Sequence, residues 1–284
     1  MKKYIALVLA ALTLLGVFSL TGCAAEEKKE VLTVALSPDF APMEFVDTSK
    51  TGQEQYVGFD VMLANYIAEE MGKELVIKPM SFDACQAAVQ TGNVDMSISG
   101  YSWTEERAEN YNLSDYYYAG DNETEQVIIT TKENEGKFTD AASFSGKIVG
   151  AQTASLQLQL CNSQLPEDCT IKEFVDIGTA SEALRNGNID ALAVAKGNGD
   201  AIIANNDALA MSGFEFVVDA AFENNVILLK KGDDELTKTV NEILAKALEA
   251  GLYGEWYAEA EALAGIETAA DVTYDDEGNV ATGD

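Results

Sequence analysis

Arg107 and Arg185 are the only arginines of the chain, and Arg107 follows a Thr-Glu-Glu helix start in "SGYSWTEER", residues 99–107. The first turn of a helix presents unpaired N–H groups and the positive end of the helix dipole, so a cation there is locally unfavourable. Something else must favour it, and a surface salt bridge to Glu105, Glu106 or Asp115 is the plainest account that the stretch alone allows. The chain has no histidine, which removes Ser-His and Cys-His catalysis, the usual zinc sites and imidazole as a general base. Catalysis would have to run on carboxylates, lysine, tyrosine or cysteine. Beyond Cys23, three cysteines remain, Cys85, Cys161 and Cys169. Outside the cytoplasm Cys161 and Cys169, in "CNSQLPEDC", could close a short disulfide loop. Cys85 lies on a helix-like apolar pattern and reads as a buried free thiol. No CxxC pair and no metal-ligand spacing occurs, so neither a metal nor a cofactor is expected.

The wider composition narrows the class. The chain has 284 residues, 47% hydrophobic and 23% charged, enough for two domain-sized cores. Its formal net charge of -30 speaks against binding nucleic acid through phosphate neutralisation. The N-terminus combines two lysines, an apolar run over residues 4–20 and small residues up to Cys23, which is the grammar of an export signal. Leu20-Thr21-Gly22-Cys23 resembles the bacterial lipobox, so residues 1–22 are expected to be removed and Cys23 to carry lipid. An uncleaved anchor and an ordinary secretory signal are the alternatives. Each buried methylene contributes roughly 0.8 kcal/mol, so a multi-acyl (palmitate-type) cysteine holds a protein stably at a membrane. Residues 23–30 then form a lipid-anchored charged tether.

From residue 31 onward, short β-branched runs alternate with longer amphipathic ones, the signature of an α/β protein. Strands are expected at 31–36, 74–80 and 94–100, with helices at 58–72 and 82–92. A second series follows: strands at 125–132, 147–152, 170–175 and 189–197, helices at 154–165, 179–188 and 199–207. Two stretches echo each other, "FDACQAAVQTGNVDMSISG" and "TASEALRNGNIDALAVAKG". Each is a helix, a Gly-Asn turn and a buried strand, which implies two lobes of similar build. Ligands of such sheets bind beyond the strand carboxyl ends, so residues 99–102 and 194–197 should face each other across a cleft. A further strand and an amphipathic helix follow near 225–263, and residues 266–284 read as an acidic tail.

Four segments closely resemble the extracellular solute-binding proteins of the polar amino-acid family, the binding components of ABC importers. They are "FAPMEF" with "GFDVMLANYIAEEMG", the long stretch from "SFDACQAAV" to "NLSDYYY", "FSGKIVGAQTASLQ", and "LTKTVNEILAKALEAGLYGEWY". The resemblance implies a two-lobed periplasmic-binding-protein-like fold of type II. Each lobe would be a central sheet flanked by helices, joined by two hinge crossings. Lobe one would comprise about 31–119 and 225–265, lobe two about 124–220, with crossings near 120–123 and 221–224. Arg107 falls on the arginine of the family's Thr-x-x-Arg motif, whose guanidinium would grip a ligand carboxylate through two parallel hydrogen bonds. Ser102 would add its hydroxyl, Ser99 and Gly100 backbone groups, and Ser155 with Leu156 a helix-start cradle from the second lobe. Phe40 and Phe82 match rings that flank the ligand side chain, against plain core phenylalanine as the alternative. Tyr101 and Trp103 are expected to pack into lobe one.

The departures matter too. Where family members that bind free amino acids usually carry an aspartate for the ligand ammonium, this chain has Ala195. An unpaired buried ammonium costs several kcal/mol, so another acid, Glu44 or Asp200, substitutes, or the ligand amine is absent or modified. Ser37 stands where binders of cationic amino acids tend to carry an acid, which argues against a Lys or Arg ligand. The resemblance implies a monomeric, exported lipoprotein, on the outer face of the cytoplasmic membrane or in the periplasm, that delivers a small carboxylate-bearing solute to a permease and its ATPase. Two alternatives are a ligand-sensing lipoprotein that serves a signalling partner and a dehydratase-like enzyme on the same fold.

Overall fold

The alternating apolar patterns build two open sheets of the same order. A computed structural model describes residues 30–117, 125–219 and 225–265. The first stretch runs β1 (Val31–Leu36), the short β2 (Asp39–Phe40), β3 (Glu44–Val46) and β4 (Tyr56–Val57), α1 (Phe59–Glu70), β5 (Glu74–Pro79), α2 (Phe82–Thr91), β6 (Met96–Ser97), α3 (Glu105–Asn110) and β7 (Tyr111–Leu113). The second runs β8 (Gln126–Thr131), β9 (Ile148–Gln152), α4 (Leu156–Gln164), β10 (Thr170–Phe174), α5 (Ile177–Arg185), β11 (Ala191–Ala195), α6 (Lys196–Ala204) and β12 (Leu209–Glu215). The chain then returns with β13 (Leu228–Lys230), α7 (Asp234–Glu249) and α8 (Leu252–Leu263).

The two sheets read β5-β1-β6-β13-β7 and β10-β9-β11-β8-β12, five strands each among the described residues. In both, the first three strands are parallel and the fourth runs antiparallel to its neighbours. The sequence echo therefore has a structural counterpart, since α2-β6 and α5-β11 deliver the third strand of their respective sheets. β13, which arrives after the chain has built the second sheet, completes the first one.

Each lobe has its own core. Phe59, Leu63 and Ile67 on one side of α1 are fully buried against β1, β6, α7 and α8, each contributing roughly 1.5–3 kcal/mol through burial. In the second lobe Phe144, Val149, Ala151 and Leu160 pack on one face of the sheet, and Ile129, Leu184 and Val194 on the other. Phe40 packs against clusters of both lobes. Arg185 is a half-exposed surface residue near Glu182.

Several expectations are adjusted. The strand expected over 94–100 pairs only at Met96–Ser97, because Gly100 takes a left-handed turn, φ +56°, that carries the chain out of the sheet. The helix expected at 199–207 starts at Lys196. The final amphipathic run is two helices broken at Gly251, φ +70°. The small sheet β2-β3-β4 and strand β12 are not anticipated by the sequence pattern. The Cys161–Cys169 disulfide is also corrected. Both are free thiols, buried in one apolar cluster, where burial pushes the Cys161 thiol up to about 12 and each side chain packs as a small hydrophobe. Cys85 is buried and free, as read. The export signal, Cys23, the tether up to residue 29, both expected crossings and the acidic tail lie outside the described residues.

Candidate functional site

Arg107 is the third residue of α3, a helix capped by the Thr104 hydroxyl, which accepts the Arg107 N–H at 3.2 Å. The side chain does not turn outward to Glu105, Glu106 or Asp115. It is 5% exposed, and its Nη1 donates to the Ser102 carbonyl at 2.7 Å while Nη2 crosses to the Ala154 carbonyl of the second lobe at 3.1 Å. The guanidinium carbon lies 5.2 Å from the Tyr101 ring centre and 5.7 Å from that of Phe82, close enough for cation–π attraction. Burial lowers its pKa, yet no carboxylate pairs with it among the described residues. The surface salt-bridge account of this cation is thereby overturned.

Around it the structure closes one cavity between the lobes. Phe40, Phe82, Ser99, Gly100, Ser102 and Arg107 line it from the first lobe, and Ser155 and Leu156 from the second. The eight residues singled out by sequence thus meet in one place. Phe82 stacks on Tyr101 with ring centres 4.8 Å apart. Gly100 is required here, because a Cβ on it would stand 2.7 Å from the Phe40 ring. Ser155 caps α4, its hydroxyl accepting from Leu158 N–H at 3.1 Å, so this hydroxyl serves the helix while the helix start faces the cavity. Ala154, just before it, holds a left-handed φ of +61° that L residues avoid. This turn presents its carbonyl to Arg107.

Behind the Ser99–Gly100 wall lie two fully buried acids. Ser99 donates its hydroxyl to Glu44 Oε1 and accepts Ser37 N–H at 3.0 Å. Gly100 N–H and the Tyr117 hydroxyl donate to Asp60 Oδ2 at 2.8 and 3.2 Å. Glu44 Oε2 and Asp60 Oδ1 are buried without a hydrogen-bond partner. Burial, and then the charge of Asp60, raises Glu44 well above the usual carboxylate range, and burial pushes Asp60 up to about 7. Glu44 is therefore not a cavity group. Asp200 is not one either: it does not line the cavity and pairs with Lys196 at 2.9 Å, both side chains partly exposed.

Val194 and Ala195, expected at the cleft, line the cavity, and sequence reasoning missed Asp39, Gln152, Gln157, Ile177 and Ala193. Asp39 is the acid among them. Its Oδ1 accepts the Ser37 hydroxyl at 2.8 Å, and its Oδ2 accepts Ile177 N–H at 2.7 Å and Gln152 Nε2 at 3.2 Å, both from the second lobe. Burial raises its pKa, with the charge of Asp176 adding to the effect and the Ile177 and Ser37 donors opposing it. A signal existed in "SPDF", where the acid adjoins the expected ring Phe40, but its role depends on lobe two, which the local pattern does not contain. Among the described residues no group of three or more His, Cys, Asp or Glu is placed to hold a metal ion.

Two α/β lobes of equal strand order, enclosing a cavity with a buried cation on its wall, define a two-lobed solute-binding protein of the periplasmic type. The family model for bacterial extracellular solute-binding proteins, family 3, matches residues 32–259, and the chain belongs to that family. It is 29% identical over 285 residues to a probable histidine-binding protein of Neisseria gonorrhoeae, covering 95% of this chain and 99% of the relative. It is 28% identical to the arginine-binding extracellular protein ArtP of Bacillus subtilis, over 88% of this chain and 94% of that one. Among solved structures it is similar to the amino acid ABC transporter substrate-binding protein AbpA of Streptococcus pneumoniae bound to L-arginine. There the TM-score is 0.75 and the identity 31%, over 84% of this chain and 97% of the other. The resemblance read from the sequence is thus confirmed at the level of family and fold. Among the described residues no helix is long and apolar enough to cross a membrane.

Proposed function

We propose that this protein is the solute-binding component of an ABC importer, capturing a small carboxylate-bearing solute of amino-acid type between its lobes and delivering it to a membrane permease. The observation that carries this reading is the buried Arg107 guanidinium, which lines an inter-lobe cavity with no carboxylate partner among the described residues. A buried cation held only by carbonyls and rings is costly, and a ligand carboxylate relieves that cost through two charge-assisted bonds. Each contributes on the order of 1.5–3 kcal/mol when shielded from water. The N-terminal turn of α4 supplies the complementary N–H from the opposite lobe at Leu156, beside the capping Ser155. The ligand then bridges the lobes and favours the closed form only by its differential contacts, with about 5.5 kcal/mol moving a 1:99 population to 99:1. No bond is made or broken. In this reading Cys23 carries the lipid anchor, and the monomeric exported chain works at the outer face of the cytoplasmic membrane or in the periplasm.

A thermal-shift panel of amino acids, N-modified amino acids and dicarboxylates tests it on the chain from residue 24, since a ligand stabilises by RT ln(1 + [L]/Kd). The expected result is a strong shift with one group of carboxylate ligands, abolished in Arg107→Ala. A full shift retained by that variant would sink the clamp assignment.

A further inference from the structure

Two charged side chains of opposite sign line the cavity and do not pair with each other, Arg107 buried and Asp39 partly buried. Arg107 has only carbonyls and rings around it. Asp39 has only neutral donors, namely the Ser37 hydroxyl, the Gln152 amide and the Ile177 N–H, and no ion pair among the described residues. The Ile177 N–H belongs to the start of α5, whose positive helix end would offset part of a carboxylate charge. That end is already capped by Asp176, whose Oδ1 accepts Thr179 N–H at 2.6 Å, and the charge of Asp176 acts against that of Asp39. The acids behind the wall, Glu44 and Asp60, bring no cation of their own: Ser99, Gly100 and Tyr117 donate to them. One end of the cavity is therefore anionic and uncompensated, the other cationic and uncompensated. A ligand carrying both charges satisfies both, and a partly buried carboxylate held only by neutral donors gains from a cation beside it.

We infer that Asp39 is the specificity-determining anion of the cavity and that the solute carries a cationic side chain, held by Asp39 beside the Phe40 ring while its carboxylate lies at Arg107. The inference rests on the carboxylate-clamp reading above and extends it to the other end of the ligand. It also reverses what Ser37 implies in isolation. The position expected to hold an acid holds a hydroxyl, and that hydroxyl orients the acid two residues on, at 2.8 Å. Ile177 and Gln152 engage the same carboxylate oxygen from the second lobe, so the charge is fixed in place as the lobes close.

Calorimetric titration of the full-length chain in detergent tests this with two near-isosteric pairs, L-arginine with L-citrulline and L-lysine with L-norleucine. Wild type should bind at least one cationic member about tenfold or more tighter than its neutral counterpart. Asp39→Asn, which keeps an acceptor for Ile177 N–H, should collapse that ratio toward one, chiefly by weakening the cationic member. Equal weakening of both members in Asp39→Asn would mark a structural latch between the lobes and overturn the inference, as would a ratio unchanged within twofold. Failure of wild type to bind either cationic probe also overturns it. Arg107→Gln separates the two readings: it should weaken all the ligands that bind alike and leave the ratio standing. If Arg107→Gln binds them as wild type does, the clamp itself is wrong.

Discussion

At the scale of single residues, the site depends on geometry that near neighbours in chemistry cannot reproduce. Lysine in place of Arg107 keeps the charge but not the planar fork, so it cannot reach the Ser102 and Ala154 carbonyls and a ligand carboxylate together. With one or two charge-assisted bonds lost, Arg107→Lys should weaken the best ligand about 10- to 100-fold, measured by titration calorimetry, with little change in the melting temperature of the free protein. Gly100→Ala should act on the fold as well. The left-handed φ of +56° disfavours any L side chain, and its Cβ would stand 2.7 Å from the Phe40 ring. A loss of about 2 kcal/mol in unfolding free energy is expected in urea titration, together with weaker ligand binding because Phe40 must move.

Among the elements, α4 links the second lobe to the cavity, and its first residues carry two opposed local effects. The Ser155 hydroxyl caps the helix through Leu158 N–H, so Ser155→Ala should cost about 1 kcal/mol of stability. Ala154, by contrast, sits at φ +61°, a conformation that glycine adopts freely, so Ala154→Gly should stabilise the protein by roughly 0.5–1 kcal/mol. Opposite signs from adjacent substitutions, read by thermal or denaturant unfolding, check that the turn is strained and the cap formed. The strain has a use, since this turn aims the Ala154 carbonyl at Arg107 across the cleft.

For the whole molecule, the buried Glu44–Asp60 pair ties stability to pH. In the unfolded chain both carboxyls release their protons near pH 4, whereas in the fold Asp60 keeps its proton up to about 7 and Glu44 is raised well above its usual range. The folded state therefore binds more protons than the unfolded one across that window. The pair's contribution is fully present below about pH 4 and is lost as pH rises through about 7. Self-repulsion within a chain of net charge -30 acts in the same direction, so wild type should melt at progressively lower temperature from pH 5 to pH 8. Glu44→Gln keeps the acceptor for Ser99 and supplies a permanent donor to Asp60, and should flatten that slope. An identical slope in the variant would show that the pair does not carry the pH dependence.

The sequence by itself determined the class of fold and most of the cavity wall. Burial patterns with periods of two and near four are local properties, so β1 is read at its true limits and the echoed helix-strand units land in equivalent places of two sheets. Arg107, Phe40 and Phe82 were placed at one cavity not by periodicity but by the resemblance to the solute-binding family, which the Thr-x-x-Arg spacing and the aromatic positions carry. What the local pattern lacks is any information about which segments meet across the chain. Whether Arg107 pairs on the surface or turns inward, whether Cys161 and Cys169 bond or pack, and whether Glu44 lines the cavity or is buried with Asp60 behind its wall are decided by contacts between residues far apart in sequence. Asp39 shows this most clearly. Its donors Gln152 and Ile177 lie 113 and 138 residues away, so only the closed pair of lobes turns an unremarked acid next to a proline into the charged end of the cavity.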